Sequence, residues 1–96
     1  MSIVDKISVI LYKKLPIEKL EIHDDSLGHA NHAEAKKSQG GHFSMLIVSQ
    51  SFKDKKPLDR HRMIYSFLKH EFKNQIHALS IEALTLEEYQ ISYESN

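Results

Sequence analysis

An α+β fold, in the order helix, strand, strand, helix, strand, helix, is predicted by three features of the chain. Apolar residues recur at helical spacing in two separate stretches, short alternating or apolar runs lie around them, and proline or capping residues stand at the helix boundaries. Val4, Ile7, Ile10, Leu11 and Leu15 follow three- and four-residue steps and define the first helix, which Pro16 stops. Glu18 to Asp25 reads as a strand, because Leu20 and Ile22 alternate with Glu21 and His23. Phe43 to Ser49 is more apolar and reads as a more buried strand. Pro57 suits the first position of the next helix, where its missing N–H costs nothing. Leu58, Ile64, Phe67, Leu68 and Phe72 are the expected buried stripe, and Asn74 is expected to end the helix in a left-handed cap. Ile76 to Leu84 reads as the third strand. Thr85 with Glu88 forms a capping-box pattern for a short last helix that is expected to carry Tyr89 inward. A right-handed crossover places the third strand parallel to a neighbour in a mixed three-stranded sheet, with the main helices on one face. Residues 1–91 are expected to form one domain, and 92–96 a frayed tail.

Composition narrows the function classes. At 96 residues there is room for one small core but hardly for a deep enclosed active site. No apolar run approaches the roughly 18 residues of a membrane span, and Met1 to Lys6 lack the pattern of a secretory signal, so a cytoplasmic protein is expected. Cysteine is absent, so any metal must be held by histidine, carboxylate or a partner's groups. Net charge is zero with seven histidines counted neutral, which does not favour a dedicated nucleic-acid binder. The charge is nonetheless uneven. Lys53, Lys55, Lys56, Arg60 and Arg62 outnumber Asp54 and Asp59, whereas Glu82, Glu87, Glu88 and Glu94 at the other end have no basic neighbour.

Asp25 to Gly41 shows neither helical nor strand period and contains all three glycines, Gly28, Gly40 and Gly41. Segments of that length are uncommon in small domains and are generally functional or disordered. His29 and His32 fall within it, His42 follows it, and His77 opens the third strand on the alternating face of Leu79 and Ile81. Imidazole suits a borderline metal. From the residues alone, a packed core-edge or solvated histidine is a simpler account of each position than a metal ligand. His61 reads as structural or part of a polar surface, and His23 and His70 receive no role.

The block from Arg60-His61-Arg62-Met63-Ile64-Tyr65 to Ile76-His77-Ala78-Leu79-Ser80 resembles the signature of the BolA family. The resemblance extends from the first helix to Tyr89 and includes the pair His42-Phe43. It implies a class II KH-like αββαβα domain that partners a monothiol glutaredoxin in iron–sulfur chemistry. By this resemblance His77 is the principal metal ligand and His29 the second, with His42 and His32 as rivals. Ala30 to Lys37 departs from the family in lacking the usual proline after the loop histidine. The implied cofactor is a 2Fe–2S cluster shared with the glutaredoxin, whose glutathione comes with the partner; the isolated chain, a monomer or weak homodimer, is expected to hold none. Histidine can replace thiolate on one iron of such a cluster, and because only neutral imidazole coordinates, binding should depend on pH.

The second function class is DNA binding by a regulator of stress response and cell morphology, a role described for some family members. Lys53, Lys55, Lys56, Arg60 and Arg62 could meet phosphate or form the glutaredoxin-docking surface. The Gly-x-x-Gly that KH domains use to clamp a nucleic-acid backbone is missing, and Gly40-Gly41 is too tight to serve. Catalysis is not expected: Glu71 and nearby histidines offer an acid and a base, but no nucleophile stands in a recognisable arrangement and there is no phosphate loop.

Overall fold

The computed structural model describes residues 1–25 and 41–94. Helix α1 spans Ile3–Lys14; the Ser2 hydroxyl accepts the Asp5 N–H at its start, and Leu15 leaves the helical region just before Pro16. Strand β1 covers Lys19–Asp24 and strand β2 His42–Val48. A 3-10 turn at Gln50–Phe52 leads to helix α2, Pro57–Phe67, with proline in its first turn. Helix α3 is Lys69–Asn74 and strand β3 Ala78–Leu84. Helix α4, Leu86–Tyr89, runs into a π-helical turn at Gln90–Glu94.

The sheet order is β1-β2-β3, antiparallel between β1 and β2 and parallel between β2 and β3. This is the mixed three-stranded sheet expected from the crossover. Register sets its two faces. Leu20, Ile47 and Ala83 align across the strands, as do Ile22, Met45 and Ile81. These side chains meet Ile7 and Leu11 of α1 and Ile64 of α2 in one core, so the two main helices cover that face.

Several local expectations are corrected. The long helix is two helices, because the backbone turns at Leu68 (φ −106°, ψ 19°). Asn74 stays helical; the cap is Gln75 (φ −128°), and among the described non-glycine residues Asp54 takes the left-handed conformation (φ 64°). β3 begins at Ala78, which leaves Ile76 and His77 in the preceding turn. Leu58 is 58% exposed instead of buried. On a helix turning about 100° per residue, Leu58 lies roughly 120° from Ile64, whereas Arg60 lies within about 40° of it. Arg60 therefore occupies the buried stripe.

Tyr89 does not enter the core. Its ring stacks on Tyr93 with centroids 4.9 Å apart, and Lys19 Nζ lies 5.8 Å from its centroid. The Tyr93 hydroxyl donates to Glu82. Register puts Lys19 and Glu82 on the face opposite the core, so the terminal turn lies against that face through Tyr93.

Candidate functional site

The parallel pairing of β2 with β3 brings the starts of both strands to one end of the sheet, with His42 opposite Ala78. His77 stands one residue before Ala78, and the rings of His42 and His77 lie with centroids 5.0 Å apart at 43°. His77 is exposed and His42 half-buried. The turn carrying His77 is anchored from several sides. Ile76 is 4% exposed, and the Ile76 N–H donates to the Glu71 carbonyl (2.8 Å). Lys6 Nζ donates to Gln75 Oε1 (3.1 Å), which ties α1 to the turn. The His77 and Ala78 N–H groups both donate to the Gly41 carbonyl, at 2.7 and 3.0 Å. Beside this pair, Asp25 accepts the Ser44 hydroxyl at 3.3 Å.

A metal about 2.0–2.1 Å from a ring nitrogen sits roughly 3.2 Å from that ring's centroid. A centroid separation of 5.0 Å is short enough for both rings to meet a single ion when one nitrogen of each faces it. Among the described residues no group of three or more His, Cys, Asp or Glu converges in a metal-binding arrangement. A metal held at this pair would therefore need its remaining ligands from an outside molecule.

The structure thus joins two of the histidines singled out from sequence, His77 and His42. His29 and His32 lie outside the described residues. Gly41, Gln75 and Lys6 were missed as supports of the site. The only sequence signal for them was a glycine directly before the His-Phe pair, and its positive φ and its contact with His77 are tertiary facts. Glu71, considered as an acid, is buried in α3.

The basic corner separates into unlike residues. Lys53, Lys55 and Lys56 are exposed, and the Arg62 side chain is 71% exposed. Arg60 does not belong to that surface. It is 7% exposed and grips Glu88 with two bonds, Nη1 to Oε1 at 2.6 Å and Nη2 to Oε2 at 3.1 Å. Its Nε donates to the Lys55 carbonyl and its Nη1 also to the Ala83 carbonyl. A guanidinium takes this position because its fork can satisfy carboxylate and carbonyls together in a site too dry for a lone charge. Thr85 and Glu88 complete the expected capping box. The Arg60 guanidinium, followed by the Thr85 N–H, holds the Glu88 carboxyl down at about 2. A shallow groove of about 390 Å³ lies alongside, between His61 and Glu82; neither His42 nor His77 lines it. Among the described residues no helix is long and apolar enough to cross a membrane.

Comparison with known proteins gives this geometry a context. A family model described as BolA-like protein matches residues 11–88. The chain is 44% identical over 79 residues to SufE-like protein 1, chloroplastic/mitochondrial, of Arabidopsis thaliana, a match covering 78% of this chain but only 21% of that protein. It is 33% identical over 95 residues to the DNA-binding transcriptional regulator BolA of Haemophilus influenzae, covering 99% of this chain and 88% of that one. The solved BolA domain of SufE1 from Arabidopsis thaliana superimposes with a TM-score of 0.77 at 40% identity, covering 92% of this chain and 96% of that domain. With the αββ-to-parallel-strand topology and a family match over most of its length, the chain belongs to the BolA-like protein family.

Proposed function

We propose that this protein is a non-enzymatic accessory factor, acting in the cytoplasm, that lends histidine ligation to a 2Fe–2S cluster shared with a monothiol glutaredoxin, in cluster trafficking or iron and redox regulation. The observation that carries the reading is the pairing of exposed His77 with half-buried His42, 5.0 Å between centroids, in a chain without cysteine. A 2Fe–2S cluster takes its protein ligands as thiolates, with imidazole able to replace thiolate on one iron. Two imidazoles and no thiolate match that division, with the partner and its glutathione supplying sulfur. His77 is the principal ligand; His42 is the second ligand that the geometry favours, and His29 the one that family resemblance favours.

The test is a titration of a glutaredoxin–glutathione 2Fe–2S complex with this protein, followed by visible absorbance and circular dichroism. Wild type should change the spectrum and His77→Ala should not. His42→Ala against His29→Ala then identifies the second ligand by which variant loses the change. Identical spectra with wild type and His77→Ala would remove His77 from the cluster.

A second reading, DNA binding by a regulator, draws on the likeness to the Haemophilus influenzae DNA-binding transcriptional regulator and on the exposed Lys53, Lys55, Lys56 and Arg62. Under it, Lys55→Ala with Lys56→Ala weakens binding to duplex DNA and His77→Ala leaves it intact.

A further inference from the structure

We infer that Gly41 is the positioning residue of the histidine pair, a role that rests on reading His42 and His77 as joint ligands. Three features converge on this residue. Its φ is +80°, in the region where glycine carries no steric cost. Its carbonyl accepts both the His77 and the Ala78 N–H, so the backbone of one ligand hangs on the residue that precedes the other. Its missing side chain makes room for that bond: a Cβ there would stand 3.0 Å from the Gln75 carbonyl oxygen, 3.1 Å from the His77 nitrogen and 3.3 Å from the His77 Cβ.

Those neighbours cannot swing aside as a flexible side chain does. Two are backbone atoms, and the turn that holds them is fixed by buried Ile76 and by the Lys6–Gln75 bond. A side chain at position 41 must therefore push the start of β2 away from the His77 turn. The strand ladder downstream has its own register bonds and its own core, in which Phe43, Met45 and Ile47 are buried. The displacement is thus concentrated where His42 faces His77, and what is lost is the ability of two rings to meet one ion.

The experiment uses the full chain and the chelate Cu(II)–nitrilotriacetate, which retains open positions for two imidazoles. Binding is read by calorimetry, and the number of coupled ring nitrogens by electron paramagnetic resonance. The signal of interest is the part abolished by His42→Ala or His77→Ala. Gly41→Ala should weaken that part roughly 10- to 100-fold, the range typical of groups that orient a metal ligand, and turn a two-nitrogen signature into a one-nitrogen one. Its far-UV circular dichroism should remain that of wild type. Gly41→Asn, which tolerates positive φ but still carries a Cβ, should show the same loss and serves if the alanine variant does not fold. Undiminished two-nitrogen binding in a folded position-41 variant overturns the role of Gly41 and leaves the ligand pair standing. Unchanged binding in both histidine variants overturns the pair, and the inference with it.

Discussion

Arg60 and Arg62 are two residues apart and identical in type, yet their physical roles differ. Arg62 reaches Asp59 only at 4.0 Å from a side chain 71% exposed, an arrangement worth little in water. Arg60 satisfies Glu88 and two backbone carbonyls from a side chain 8% exposed. Arg60→Met keeps the apolar stem but removes the guanidinium from the Lys55 and Ala83 carbonyls and from Glu88, which keeps only the Thr85 N–H, so it should lower unfolding stability by about 2–3 kcal/mol in urea titration. Arg62→Met should stay within about 0.5 kcal/mol of wild type. Equal midpoints for the two variants would refute the assignment. The same contact has a pH signature. Glu88 is lowered from 4.5 to about 2, so its stabilising contribution is complete above pH 4.5 and is lost as pH falls toward 2. Glu88→Gln should therefore lose stability at neutral pH and show a shallower decline in melting temperature between pH 4.5 and 2 than wild type.

Helix α2 shows how one element combines a readable period with an unreadable rotation. The apolar spacing announced a helix, and Pro57 its start, but Leu58 and Arg60 compete for the same stripe and hydrophobicity alone selects Leu58. The outcome depends on Glu88, 28 residues along the chain from Arg60, which supplies the counter-charge. Ile64, fully buried, should cost about 2–5 kcal/mol when changed to alanine. Leu58→Ala should be nearly silent, within about 0.5 kcal/mol, and an equally large loss there would place the stripe wrongly. The strands and the capping box at Thr85 were legible because alternation and caps are local signals. The break at Leu68 was not, since the Leu68 N–H bonding both Ile64 and Tyr65 carbonyls leaves no mark in the sequence. His77 drew attention by family resemblance, whereas its companion His42 is chosen by the register of β2 on β3, a long-range fact. Gly41 stood in plain view without a reason attached to it.

At the scale of the whole molecule, the histidine pair belongs to the end of the sheet where β2 and β3 begin, and the exposed cations belong to the approach to α2. These are separate surfaces, and their chemistry responds to different variables. A cluster reading depends on imidazole donors and on an outside source of thiolate. A DNA reading depends on counterion release, and here the structure limits the magnitude. With Arg60 withdrawn into its bond with Glu88, the corner offers Lys53, Lys55, Lys56 and Arg62. At about −0.9 in the logarithmic salt slope per neutralised phosphate, duplex binding through this corner should show a slope no steeper than about −4. Lys55→Ala with Lys56→Ala should flatten it to about −2, because each lost contact removes about one. Fluorescence anisotropy across a salt series measures both slopes directly. A slope unchanged by the double substitution would rule out this corner as the phosphate contact. His77→Ala belongs in the same series as a control, since a change away from the basic corner should leave the slope unaltered while removing the spectral response to the glutaredoxin complex. One pair of variants then separates the two surfaces by which measurement each one moves.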